Sequence, residues 1–164
     1  MKTAIVGLGY VGLPLSLQFA RSGVTVLGLD VDAAKVDALH QGKSYIKHIP
    51  SKAVTEMVRA GTFSAASDFS RIREADAVII CVPTPLNKNR EPDISYIIDT
   101  GRSIARYLRK GMLVVLESTT YPGTTTRTCA RCSRSAPVSK PGATSIWHSR
   151  PNAKTPAIPT AKWP

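Results

Sequence analysis

The stretch that decides the fold is AIVGLGYVGLPL, residues 4–15. An apolar run beginning at Thr3 leads straight into Gly7, Gly9 and Gly12. Such a run reads as a strand buried on both faces. Behind the glycines Val11, Leu15 and Phe19 recur at i, i+4 and i+8, one helical stripe that closes at Gly23. Strand, glycines and helix open a βαβ unit, and each glycine in the G-x-G-x-x-G has a mechanical reason. Gly7 permits a tight turn, Gly9 lets a pyrophosphate approach the backbone, and Gly12 lets the helix pack on the strand. The helix start then offers N–H groups and the positive end of its dipole to phosphate.

Outward from this loop, VTVLGLD (24–30) reads as a second strand ending at Asp30, 18 residues beyond Gly12. A carboxylate there accepts hydrogen bonds from the ribose hydroxyls of an adenine dinucleotide. It also repels a 2′-phosphate, so the cofactor expected is NAD rather than NADP. Lys35 carries two readings, a solvated helix residue or a nearby cation that tolerates phosphate.

The alternation continues. Asp32 can cap a helix through Val36 and Leu39 that stops at Gly42. SKAVTEMVRAG (51–61) has a Ser51 cap and a Gly61 stop, and FSAAS (63–67) is a short strand. ADAVIICV (75–82) is a buried strand halted by Pro83 and Pro85. Asp93 caps a helix with the stripe Ile94, Ile97, Ile98, Ile104 and Leu108, and MLVVLES (112–118) is the next strand. Strands alternating with helices give an α/β fold, a Rossmann-like doubly wound parallel sheet, incomplete after its fifth strand.

The net charge of +11 over 164 residues first suggests a nucleic-acid partner. Its distribution argues against one. All eleven acids lie between Asp30 and Glu117, so residues 1–126 carry only +4, while residues 127–164 hold seven Lys or Arg and no acid. Cys81 sits in an apolar run and reads as a buried small hydrophobe. Cys129 and Cys132 form a C-x-x-C with no second ligand pair at zinc spacing, and His148 stands alone, so no metal site is expected. The first apolar run is broken by glycines and Pro14, unlike a signal peptide, and no segment reaches membrane-spanning length. The expectation is a cytoplasmic chain without membrane or nucleic-acid partners.

AIVGLGYVGLPL, GLDVD, CVPTPLNKNREPDISYI and LESTTYPGTT together resemble the NAD-binding half of the UDP-glucose/GDP-mannose dehydrogenases, over residues 1 to about 126. PTPLNKNREPD is most similar to the UDP-N-acetylglucosamine 6-dehydrogenase branch. The resemblance implies oxidation of a UDP-sugar C6 alcohol to the uronate in two NAD-dependent steps through a thiohemiacetal on a cysteine. It implies cofactor contacts along the loop Gly7, Leu8, Gly9, Tyr10, Val11 and Gly12. Further contacts are implied at Asp30 and Lys35, at Val82 and Thr84, and at Ser118 and Thr119. For Thr84 and Thr119 plain turn chemistry is the competing explanation. The family's FSPER…PG stretch, nucleophilic cysteine and second domain do not follow residue 126. No catalytic residue is therefore assigned, and this chain alone is expected to be inactive. A stand-alone NAD-binding or regulatory module is the alternative. An oligomer remains possible, with the interface regions missing.

Residues 127–164 change character: six of the twelve prolines, both tryptophans, and no Leu or Phe. Apolar surface this sparse does not offset ordering entropy, so no stable fold is expected there. An out-of-frame reading explains the change. From the last base of the Ala143 codon, codons for TSIWHSRPNAKTPAIPTAKWP can be written in the neighbouring frame as DFHLAFSPEREDPGNPDSKVA, which contains the missing family stretch. The frame change is expected between Thr124 and Arg127.

Overall fold

The computed structural model describes residues 1–88, 90–120 and, as backbone, 146–149. Six parallel strands form one sheet: β1 (Lys2–Val6), β2 (Thr25–Leu29), β3 (Phe63–Ala66), β4 (Ala77–Ile80), β5 (Leu113–Leu116) and β6 (Ile146–Ser149), in the order β3-β2-β1-β4-β5-β6. Helices α1 (Gly12–Arg21), α2 (Ala33–His40), α3 (Ser51–Arg59) and α4 (Ser95–Ala105), with a 3-10 helix at Phe69–Glu74, make the connections.

Alternation along β1 explains why its sequence is apolar without a break. Ile5 faces a core with Leu13 and Leu17 of α1, Val36 and Leu39 of α2, and Phe63. Ala4 and Val6 face a second core with Val78, Ile80, Ile97 and Ile104. Successive side chains point to opposite faces, so a strand covered on both sides needs apolar residues at every position.

Strand order reverses across β1, which pairs Ala4 with Leu27 on one side and Val78 on the other. At the last rung Gly7 N–H donates to the Leu29 carbonyl and Cys81 N–H to the Val6 carbonyl, both at 2.8 Å. The chain therefore leaves β1 at a topological switch point, where open α/β sheets form their ligand crevice.

The helix ends correct the sequence reading in detail. Asp32 caps α2, accepting Ala34 N–H at 3.0 Å, as expected. Ser51 does not cap α3, because Pro50 takes that place and the Ser51 hydroxyl instead accepts Ser44 N–H. Asp93 accepts Ser95 N–H one residue before the cap position Ile94, and α4 ends at Ala105 rather than reaching Leu108.

Ile146–Ser149, inside residues 127–164, lies beside β5 and pairs with it from Leu113 to Leu116, through backbone groups that any non-proline residue carries. An unpaired β5 would also present a template edge. The rest of that stretch, with Cys129 and Cys132, lies outside the described residues.

Candidate functional site

The glycine loop is built by exclusion. Gly7 has φ +91°, and a Cβ there would sit 2.8 Å from the Cys81 carbonyl oxygen. A Cβ on Gly12 would fall 1.8 Å from the Gly7 carbonyl oxygen, so the loop and α1 close on each other only without one. At Gly9 nothing lies within 4 Å of the corresponding point, and the backbone there borders open space. Helix α1 begins with no side-chain cap and no acid in its first turn. Its positive end is left uncompensated by local carboxylates.

Asp30 closes the other side. Its carboxylate is 6% exposed, with one oxygen accepting Leu8 N–H at 2.8 Å and the other accepting Asp32 N–H at 3.0 Å. An ionised carboxylate has about four lone-pair sites, so capacity remains for hydroxyl donors. Lys35 Nζ stands 3.6 Å from Asp30 and 3.8 Å from Asp32. Lys35 is thus a counter-ion shared by two carboxylates at the cleft edge.

Across the switch point the Ser118 hydroxyl donates to the Val82 carbonyl at 2.7 Å, tying the chain after β5 to the chain after β4. Together these pieces enclose a cavity of about 860 Å³. That volume lies within the ~300–1,000 Å³ typical of ligand pockets. Every residue expected at the cofactor lines it except Leu8 and Gly12. Leu8 is fully buried and turns its side chain into the core, while its N–H is taken by Asp30. Gly12 lies against Gly7 and Cys81 behind the cavity wall. Both shape the loop rather than face the cleft.

Sequence reasoning missed one wall. Tyr96, Asp99, Thr100 and Ser103 of α4 also line the cavity. Their i, i+3, i+4, i+7 spacing was visible as the polar complement of the isoleucine stripe. It reads as solvent-facing unless the sheet order is known. Ser67 and Glu117 join them from strand ends, and Phe69 from the start of the 3-10 helix.

Cys81 borders the cavity yet is 8% exposed, and burial, then the Glu117 charge, pushes its thiol up to about 12. The nucleophile is the thiolate, so this sulfur is inert near neutral pH. Among the described residues no group of three or more His, Cys, Asp or Glu could hold a metal, and no helix is long and apolar enough to cross a membrane.

The loop, the acid and the open space at Gly9 fit an adenine dinucleotide. Comparison with known proteins points the same way. Residues 1–146 match the NAD-binding domain of the UDP-glucose/GDP-mannose dehydrogenase family, 20 residues beyond where the resemblance by motif ends. The chain is 34% identical over 129 residues to UDP-N-acetyl-D-glucosamine 6-dehydrogenase of Pseudomonas aeruginosa, covering 79% of this chain and 30% of that protein. It is 40% identical over 122 residues to UDP-N-acetyl-D-mannosamine dehydrogenase of Escherichia coli K12, covering 74% and 29%. The crystal structure of NDP-N-acetyl-D-galactosaminuronic acid dehydrogenase from Methanosarcina mazei Go1 superposes with a TM-score of 0.81 at 34% identity, covering 91% and 34%. The chain thus spans about 30% of the length of the curated relatives it matches.

Proposed function

The chain belongs to the UDP-glucose/GDP-mannose dehydrogenase family and carries its NAD-binding domain, and from that premise we propose that residues 1–126 are the cofactor half of a nucleotide-sugar 6-dehydrogenase. The observation that carries this reading is the Gly7–Gly12 loop pinned to Asp30 on the wall of an ~860 Å³ cavity at the switch point. When bound, the nicotinamide would take up the hydride leaving the sugar C6 carbon.

This chain's own residues would do the rest of the holding. The Gly9 backbone and the start of α1 receive the pyrophosphate, and Asp30 takes the adenosine ribose hydroxyls. Val82, Thr84, Ser118 and Thr119, at the strand ends beyond β4 and β5, lie along the remaining path of the dinucleotide. The substrate proposed is a UDP-sugar of the N-acetylglucosamine type, and the setting proposed is the cytoplasm.

Turnover needs a thiol nucleophile. Among the described residues the only cysteine is Cys81, and burial keeps it protonated. The chain by itself is therefore proposed to bind cofactor without oxidising sugar. Calorimetric titration with NAD+ and NADH, followed by an absorbance assay with UDP-N-acetylglucosamine, tests both halves. Binding without NADH formation supports the reading. Absence of binding at about millimolar cofactor overturns the first half, and turnover overturns the second.

A further inference from the structure

The connection between α2 and α3 touches the glycine loop on both sides of Gly9. The Tyr45 hydroxyl donates to the Leu8 carbonyl at 2.6 Å, and the His48 ring stacks on Tyr10 with centroids 6.2 Å apart and planes 25° off parallel. We propose that this connection is a strap that fixes the phosphate loop for its cofactor, with Tyr45 as the positioning residue.

The strap is itself well anchored. Ile46 and Ile49 are buried in the core on the α1 side of the sheet. Lys43 N–H donates to the Ala38 carbonyl at 2.8 Å, Ser44 N–H to the Ser51 hydroxyl at 3.0 Å, and the Thr55 hydroxyl to the Gly42 carbonyl at 2.9 Å. Tyr45 is half-buried, and burial, then the charges of Asp30 and Asp32, raise its pKa, so the phenol stays a proton donor across ordinary pH.

The peptide groups on both sides of Leu8 are therefore held. The N–H of the Gly7–Leu8 peptide goes to Asp30 and the carbonyl of the Leu8–Gly9 peptide to Tyr45, which fixes the backbone torsions at Leu8 and the entry to Gly9. Gly9 has no side chain to hold it, and a glycine loses more conformational freedom on ordering than any other residue. A loop held before the ligand arrives does not spend binding energy on that ordering. Tyr45 does not line the cavity and reaches the loop through the Leu8 carbonyl.

The inference rests on the NAD reading and is tested beside it. Tyr45→Phe keeps the ring and removes one hydroxyl. In the full chain the variant is expected to bind NAD+ and ADP-ribose roughly three- to tenfold more weakly. Adenosine, which carries no phosphate, should compete equally well with both proteins, because Asp30 keeps its second bond to Asp32. Ligand-free amide exchange in the peptide covering residues 8–12 should quicken in the variant. A wild-type chain that binds neither NAD+ nor ADP-ribose overturns the cofactor reading and the strap with it. Wild-type binding with an unchanged variant overturns the strap alone, as does an equal loss for adenosine.

Discussion

The Asp30 carboxylate accepts the Leu8 backbone N–H at 2.8 Å, so the acid at the end of β2 is also a staple for the loop that leaves β1. Asp30→Ala should therefore fail twice. It strands a buried N–H and removes the ribose acceptor. The first loss is expected to lower unfolding free energy by roughly 2–3 kcal/mol, the scale of a hydrogen bond to a charged group. Urea unfolding reads that term and NAD+ titration the other. A variant with native stability but no cofactor binding would show that the staple contributes nothing.

Gly28 has no part in phosphate binding, yet it sets where the phosphate loop lies. A Cβ on it would stand 2.8 Å from Leu8 Cδ2 and 3.1 Å from Phe63 Cε2. Gly28→Ala should push Leu8 off the sheet, costing about 1–3 kcal/mol by overpacking. NAD+ affinity should fall with stability, although residue 28 does not line the cavity. Truncating the obstacle in Gly28→Ala/Leu8→Ala should restore loop placement only in part, since Leu8→Ala opens a cavity of its own.

That coupling also marks what could be read from sequence. Local signals carried the βαβ opening, the acid at residue 30 and the strand-end residues of the cleft, because period, glycine spacing and strand position are local. Gly28, Tyr45 and the polar face of α4 acquire their meaning only from neighbours tens of residues away. In sequence Gly28 is a weak spot in a strand and Tyr45 a residue in an illegible connection. Strand β6 carries no apolar pattern, and backbone pairing needs none.

Thr3 offers a test confined to the sheet. Its hydroxyl is buried with no hydrogen-bond partner among the described residues, between Val26 of β2 and Ala77 of β4. Thr3→Val replaces the hydroxyl by a methyl of like shape. Stability should rise by about 1 kcal/mol, because an unsatisfied buried polar atom disappears and nothing is lost in exchange. A fall in the urea midpoint would mean that the hydroxyl has a partner.

The frame change proposed for residues 127–164 is settled at the nucleotide level. The neighbouring frame should encode FSPEREDPGNP from the phenylalanine codon overlapping His148 and Ser149. A DNA sequence without that stretch removes the proposal, whatever the protein binds. Correcting the frame in a clone that supplies the length of the family's other members is then expected to yield sugar oxidation, read as NADH formation.

Acid should loosen the end of the sheet away from the cleft. Glu74 is held down to about 2 by hydrogen bonds from Arg71 first and Lys2 second. Asp76 is lowered by the Lys2 backbone N–H and then by Arg109. A carboxylate whose folded pKa lies below its unfolded value contributes stability that is complete above the unfolded pKa and is lost as pH falls. The window therefore opens near 4.5 and the Glu74 share disappears last, near 2. Both groups are solvent-exposed, so the slope should be shallow and should flatten further in about 1 M salt. Urea midpoints measured down the pH scale at two salt concentrations check this; stability that rises on acidification would place the linkage elsewhere.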